Sequence, residues 1–196
     1  MNFQLGRTAL NLAILVLSVT IVAGCIDISG SGSTDTTDTS TTTSRTTSAI
    51  SNPMSEQEID DFIQAINQYR AEGASCGTQG VFGAQAPLVW NQKLAVAAQV
   101  HSNDQYEMND MSHTGSDGSK PSERITLQGY EWSSVRENVA EGYFSSISQL
   151  AKAWMDSDGH CANMMASNVT ELGIAATRLD NGSGFWTLKL AKPKAQ

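Results

Sequence analysis

Apolar residues Ile59, Phe62, Ile63, Ile66 and Tyr69 recur at the three-and-four spacing of one helix face. Ser55 and Glu58 stand ahead of them as a capping box, and Gly73 follows as a stop. Residues 74–87 are a glycine-containing loop closed by Pro87. A second helix is expected after Asn91, a good cap, with Leu94, Ala97, Ala98, His101 and Met108 tending to one face. Pro121 suits the first turn of a short third helix over SERITLQ, stopped by Gly129. Ser146 opens a fourth, ISQLAKAWMDS, whose stripe is Ile147, Leu150, Ala151, Trp154 and Met155. After GHCANMM the period changes. ELGIAATRL alternates as a strand, DNGSG turns the chain, and FWTLKLAKP returns, so a hairpin is predicted around Asn181-Gly182. Between the third and fourth helices, YEWSSVRENVAEGYFSS reads as irregular, with an extended look over residues 135–139. Helices early and strands late predict an α+β fold with helices on an antiparallel sheet.

The first 52 residues have a different character. Arg7 precedes the uncharged apolar run ALNLAILVLSVTIV, which ends in VAGC. A short apolar segment behind a basic residue, ending in small residues, is read as an export signal over residues 1–24 rather than a spanning helix. VAGC resembles the lipobox of bacterial lipoproteins, which implies cleavage before Cys25 and lipid attachment to its sulfur. Residues 25–54, rich in Ser and Thr, hold too little apolar surface to offset ordering entropy and are expected to form a tether. The folded domain is assigned to residues 55–196.

The chain carries 12 Lys+Arg and 20 Asp+Glu. Removing residues 1–24 takes away Arg7 and no acid, leaving 11 basic against 20 acidic residues, a net −9. Such a chain has no electrostatic reason to seek nucleic acid. With Cys25 assigned to the lipid, Cys76 and Cys161 remain, a candidate disulfide in an exported protein. Spacing alone does not show that the two sulfurs meet.

The segments LVWNQKLAVAAQVHS, MSHTGSDG, PSERITLQGY, ENVAEGY, AWMDSDGHCANMM, ELGIAATRL and FWTLKL resemble, in this order, the CAP superfamily: cysteine-rich secretory proteins, wasp-venom antigens and plant pathogenesis-related proteins. The likeness is to the bacterial SCP-like extracellular branch and covers roughly residues 56–192. It implies an α-β-α sandwich, a central antiparallel sheet between helical layers, and a shallow groove lined by His and Glu where some members bind zinc. Of the two His and two Glu that family members often present there, His113 in SHTGSDG and Glu137 in ENVA match. The second glutamate position, three residues after Trp154, is Ser157, and FWTLKL holds no histidine. His160, in a Ser-x-x-His-x-x-Asn pattern with Ser157 and Asn163, and His101, after the alanine-rich helix, match histidines recurrent in bacterial members.

His101, His113, Glu137 and His160 are therefore the expected groove, with His113, Glu137 and His160 the candidate ligands of a zinc ion. Imidazole nitrogen and carboxylate oxygen suit zinc, and an open position would activate water. In a metal-free hydrolase, Glu137 would be the base and His113 the polarising group. Against these stand plainer roles: His101 as a hydrogen-bonded core histidine, Glu137 tying its loop, His160 bracing a turn, and Trp154 and Trp186 as core anchors. There is no HExxH, CxxC or GxSxG. The leading expectation is a membrane-anchored extracytoplasmic module that binds a lipid, sterol or other small apolar ligand. An extracellular hydrolase acting on peptide or envelope material and a structural or adhesive envelope protein are the rivals.

Overall fold

The computed structural model describes residues 53–195. The signal segment, Cys25 and the tether up to residue 52 lie outside the described residues. The order of elements is α1 (Glu56–Glu72), β1 (Ala74–Ser75), a 3-10 turn (Gly77–Gln79), β2 (Val81–Phe82), β3 (Val89–Trp90), α2 (Gln92–Met108), α3 (Pro121–Leu127), β4 (Trp132–Tyr143), α4 (Ile147–Met155), α5 (Asp158–Met164), β5 (Glu171–Arg178) and β6 (Ser183–Pro193). The α+β class stands. Every helix start read from a cap is found. Ser55 and Glu58 close a reciprocal capping box, Asn91 accepts from the backbone of Lys93 and Leu94, and Ser146 accepts from that of Gln149.

The main sheet has the order β3-β5-β6-β4. β5, β6 and β4 are antiparallel neighbours, whereas β3 joins β5 in parallel. The expectation of a purely antiparallel sheet is corrected there: β3 is reached across the sheet rather than by a hairpin, so its direction is free. The stretch read as irregular, 130–146, holds β4, a full-length twelve-residue strand. Its sequence shows no clean alternation because Glu137 and Asn138, both polar, are both buried.

Side chains on the sheet alternate between two faces. Leu172, Ile174, Ala176, Trp186, Leu188 and Leu190 pack with Phe62, Ile66, Leu150 and Trp154 of α1 and α4 in the main core. The other face meets α2 and α3 through a smaller cluster of Leu94, Ala97, Ile125, Tyr130 and Ala191. Gly173 permits the close approach of α2, since a Cβ there would lie 2.1 Å from the Ala95 nitrogen. Trp154 and Trp186 are core anchors, both buried. Met54, assigned to the tether, is buried in the main core, and Arg178 donates to the Pro53 carbonyl, so the folded domain begins two residues earlier than expected.

Two long-range ties secure the helical layer. Cys76 and Cys161 form a disulfide across 85 residues, worth about 4 kcal/mol in the chain-entropy account. The fully buried guanidinium of Arg70 donates to the carbonyls of Ala86, Met164 and Ala166. These ties clamp α5 and the residues after it to α1 and its following loop.

Candidate functional site

Glu137 lies in the middle of β4, directly opposite Lys189 on β6. Its side chain points to the α2–α3 face, and all four of its expected lone-pair directions are engaged. Oε1 accepts from His113 Nδ1 at 2.8 Å and from Arg124 at 3.3 Å. Oε2 accepts from Arg124 at 3.0 Å and from the Lys189 ammonium. Lys189 is wholly buried, Arg124 nearly so. Burial by itself pushes the Glu137 carboxyl up. The hydrogen bond from His113 and the charges of Lys189 and Arg124 outweigh it and hold the group down to about 2. Burial pulls Lys189 down to about 8, with Glu137 opposing the shift and Arg124 adding to it.

An ionised carboxylate only accepts, so the 2.8 Å contact places the proton of neutral His113 on Nδ1. Its Nε2 is then a lone-pair acceptor on a side chain that is 55% exposed. Arg124 also fixes the loop that carries this histidine, donating to the carbonyls of His113 and Ser119. The loop's turn is braced by Asp104, which accepts from the backbone and hydroxyl of Ser116.

His101 is expected in the groove but lies beneath it. It has no exposed surface, because α2 presses that face of the helix onto the sheet. Its Nε2–H donates to the Ser112 carbonyl at 2.7 Å and sits 3.8 Å from Glu137. Nδ1 makes no hydrogen bond within the protein and faces Asp104 at 4.0 Å. Burial lowers its pKa, and Arg124 and Lys189 lower it further against the pull of Glu137. The plainer role of core histidine is the one it fills.

His160 reaches the neighbourhood by another route. The fourth helix, read as ISQLAKAWMDS, stops short: α4 ends at Met155, and Ser157 becomes the residue before a separate short helix, α5. Ser157 and His160 therefore do not share a face of one continuous helix. α5 is pinned by the Cys161 disulfide, by Asp158 accepting from Thr78, and by Asn138 donating to the His160 carbonyl. The half-buried His160 ring has its pKa lowered, burial being the first cause and the neighbouring His113 ring the second. Asn163 donates to the Glu137 carbonyl and to the Asn138 side chain, so the β4 edge is covered rather than open.

Arg124 and Lys189 were missed by sequence reasoning. In FWTLKL, Lys189 shares a strand face with Thr187, opposite Trp186, Leu188 and Leu190, and so reads as a solvent-facing residue. Arg124 left no signal either, since its partners lie 5, 11 and 13 residues away.

Residues 63–190 match the CAP family, described as the cysteine-rich secretory protein family. The chain belongs to this family. Among curated relatives, it is 29% identical over 101 residues to the uncharacterized protein YkwD of Bacillus subtilis, a match spanning 52% of this chain and 38% of that protein. The chain thus spans well under half the length of that relative. Among solved structures, an outer surface protein of Borrelia burgdorferi superposes with a TM-score of 0.61 at 16% identity, covering 72% of this chain and 98% of that one. An extracellular protein containing a SCP domain from Bacillus anthracis superposes with a TM-score of 0.51 at 22% identity, over 72% of this chain and 45% of that one. At these identities the two structures establish the CAP fold and nothing finer.

The zinc ion that the family suggests does not fit these residues. A metal ligand must turn a lone pair to the ion, and both oxygens of Glu137 are taken by donors, two of them permanent cations or nearly so. His101 has no exposed surface, and its free nitrogen faces Asp104 instead. Only the two partly exposed imidazoles remain, and no three His, Cys, Asp or Glu side chains among the described residues are grouped to hold a metal. The same occupancy makes Glu137 a poor general base, since its proton affinity is far below neutrality.

Proposed function

We propose that this CAP-domain protein is a lipid-anchored, extracytoplasmic binding module and not a hydrolase. The observation that carries the reading is the commitment of Glu137: a carboxylate held by Lys189, Arg124 and His113 orients an imidazole but has no capacity left to take up a proton or a metal. No serine or cysteine among the described residues is hydrogen-bonded to His113 as a nucleophile would be, and both domain cysteines are joined to each other. The extracellular placement is supported by the disulfide, by the export-like N-terminus and by the likeness to an extracellular SCP-domain protein.

The His113 surface suits a ligand that donates a hydrogen bond, a hydroxyl or an amide N–H, to Nε2. An apolar ligand has a better receptacle elsewhere. A cleft of about 460 Å³ between α1 and α2 is lined by Met54, Ile59, Trp90, Val96, Val100 and Ile174, within the size range of small-molecule sites. A larger cleft, about 620 Å³, is lined by neither His113 nor His160. Mass spectrometry of material co-purified with the protein separates the options. Loss of the ligand in His113→Ala assigns it to the imidazole surface. Loss in Val100→Asp assigns it to the apolar cleft. Turnover of peptide or envelope substrates that disappears in His113→Ala would sink the binding-module reading.

A further inference from the structure

A carboxylate that binds a divalent metal has to be the negative point of its surroundings. Glu137 is not. With Lys189 and Arg124 against it, the three side chains sum to one positive charge, all inside the protein. A second cation brought to Oε1 or Oε2 would be repelled at close range in a medium that screens poorly.

The lysine is built in by register. Glu137 and Lys189 are directly paired across β4 and β6. Leu188 and Leu190, on either side of Lys189, point to the opposite face and into the main core. A slip of one residue would send the ammonium into hydrocarbon. An ion pair with no solvent exposure is a weak source of stability, because desolvation offsets most of its attraction. Stability alone is therefore a poor reason for the pair here, where two apolar residues of similar volume would pack as well.

We propose that Lys189, with Arg124, is the resident cation of this site: the ammonium takes the charge-balancing place of a metal, and His113 is held in its Nδ1–H form without one. The domain is metal-independent by construction. This goes beyond the binding reading and does not depend on what the site binds. Lys189 is a positioning residue in this scheme. It touches Glu137, which in turn orients His113.

Zinc alone, titrated into the intact histidine-15N-labelled chain at neutral pH, tests the idea. Bound metal is measured by equilibrium dialysis, and the ring nitrogens of His113 and His160 by long-range nitrogen–proton correlation. The wild type is expected to take up no stoichiometric zinc at micromolar concentration, with His113 protonated on Nδ1 throughout. In Lys189→Met, loss of a like charge beside Glu137 is expected to tighten zinc binding at His113 by about tenfold or more. If that variant fails to fold, Lys189→Gln keeps a donor to Glu137 without the charge. Stoichiometric zinc on the wild type that shifts the His113 nitrogens would overturn the proposal. So would a folded Lys189 variant as indifferent to zinc as its parent. If neither variant folds, the wild-type titration decides.

Discussion

The two faces of one sheet are built on opposite plans. Toward α1 and α4, β6 presents Trp186, Leu188 and Leu190 to a continuous hydrocarbon core. Toward α2 and α3, the same strand presents Thr187, Lys189 and Ala191. There Thr187 accepts from Ser102 and Gln105, and Lys189 pairs with Glu137. Both sets of side chains are buried, but their energetics differ. Hydrocarbon burial contributes stability in proportion to area. A buried ion cluster contributes little net, yet is costly to break, because each remaining charge is then stranded. The first face holds the domain together; the second holds one imidazole in one orientation at the surface.

Breaking each face separates the two plans. Glu137→Ala strands Lys189 and Arg124 and is expected to destabilise the domain by about 3–5 kcal/mol. Replacing both Glu137 and Lys189 by leucine should recover the part of that loss due to Lys189, Arg124 keeping only its acceptors at His113 and Ser119; denaturant unfolding of the two single variants and the double measures it. On the apolar face, Leu188→Ala should cost about 2–5 kcal/mol by leaving a cavity, with no partner substitution that restores it by removing a charge. Recovery failing in the double leucine variant would mean that the ion cluster is a net source of stability after all.

The acid limb of stability sharpens the contrast. The Glu137 carboxyl is depressed from an ordinary 4.5 to about 2, so its contribution is complete above pH 4.5 and is lost as pH falls toward 2. The expected loss is about 3 kcal/mol. His101 acts with the same sign at higher pH. Its folded pKa lies below the ordinary 6.5, so unfolding gains a proton there, and stability begins to fall as pH drops through that value. Leu188→Ala should keep this acid limb parallel to the wild type, while the double leucine variant should flatten it between pH 4.5 and 2. The smallest expected effect is that of His113→Ala. It removes one half-exposed donor from Glu137 and should shift stability by about 1 kcal/mol, while abolishing binding at that surface. A large loss of stability there would move His113 from the site to the scaffold.

Much of the fold was legible in the sequence. Caps and stops are local chemistry: Ser55 with Glu58, Asn91, Pro121 and Ser146 each sit within a few residues of the groups they serve. The β5–β6 hairpin was equally local, announced by Asn181-Gly182 between two alternating runs. β4 was half legible, because Glu137, Asn138 and Val139 are buried in succession at its centre and no two-residue alternation marks the strand. The site was legible in part. His113 and Glu137 are in direct contact, as the family likeness implied, but His101 is sealed inside and His160 stands on a separate helix.

By itself the sequence determined where α1, α2, α3 and α4 begin, the late hairpin, the α+β class and the family, since each depends on neighbours a few positions apart or on motifs in a fixed order. Only the tertiary structure decided what Glu137 is for. Its partners are 13, 24 and 52 residues away, and they meet because the β4–β6 register and the packing of α2 and α3 set them on one buried face. The protonation and metal affinity of a carboxylate follow from the charges within a few ångströms of it, and that distance is fixed by folding rather than by spacing along the chain.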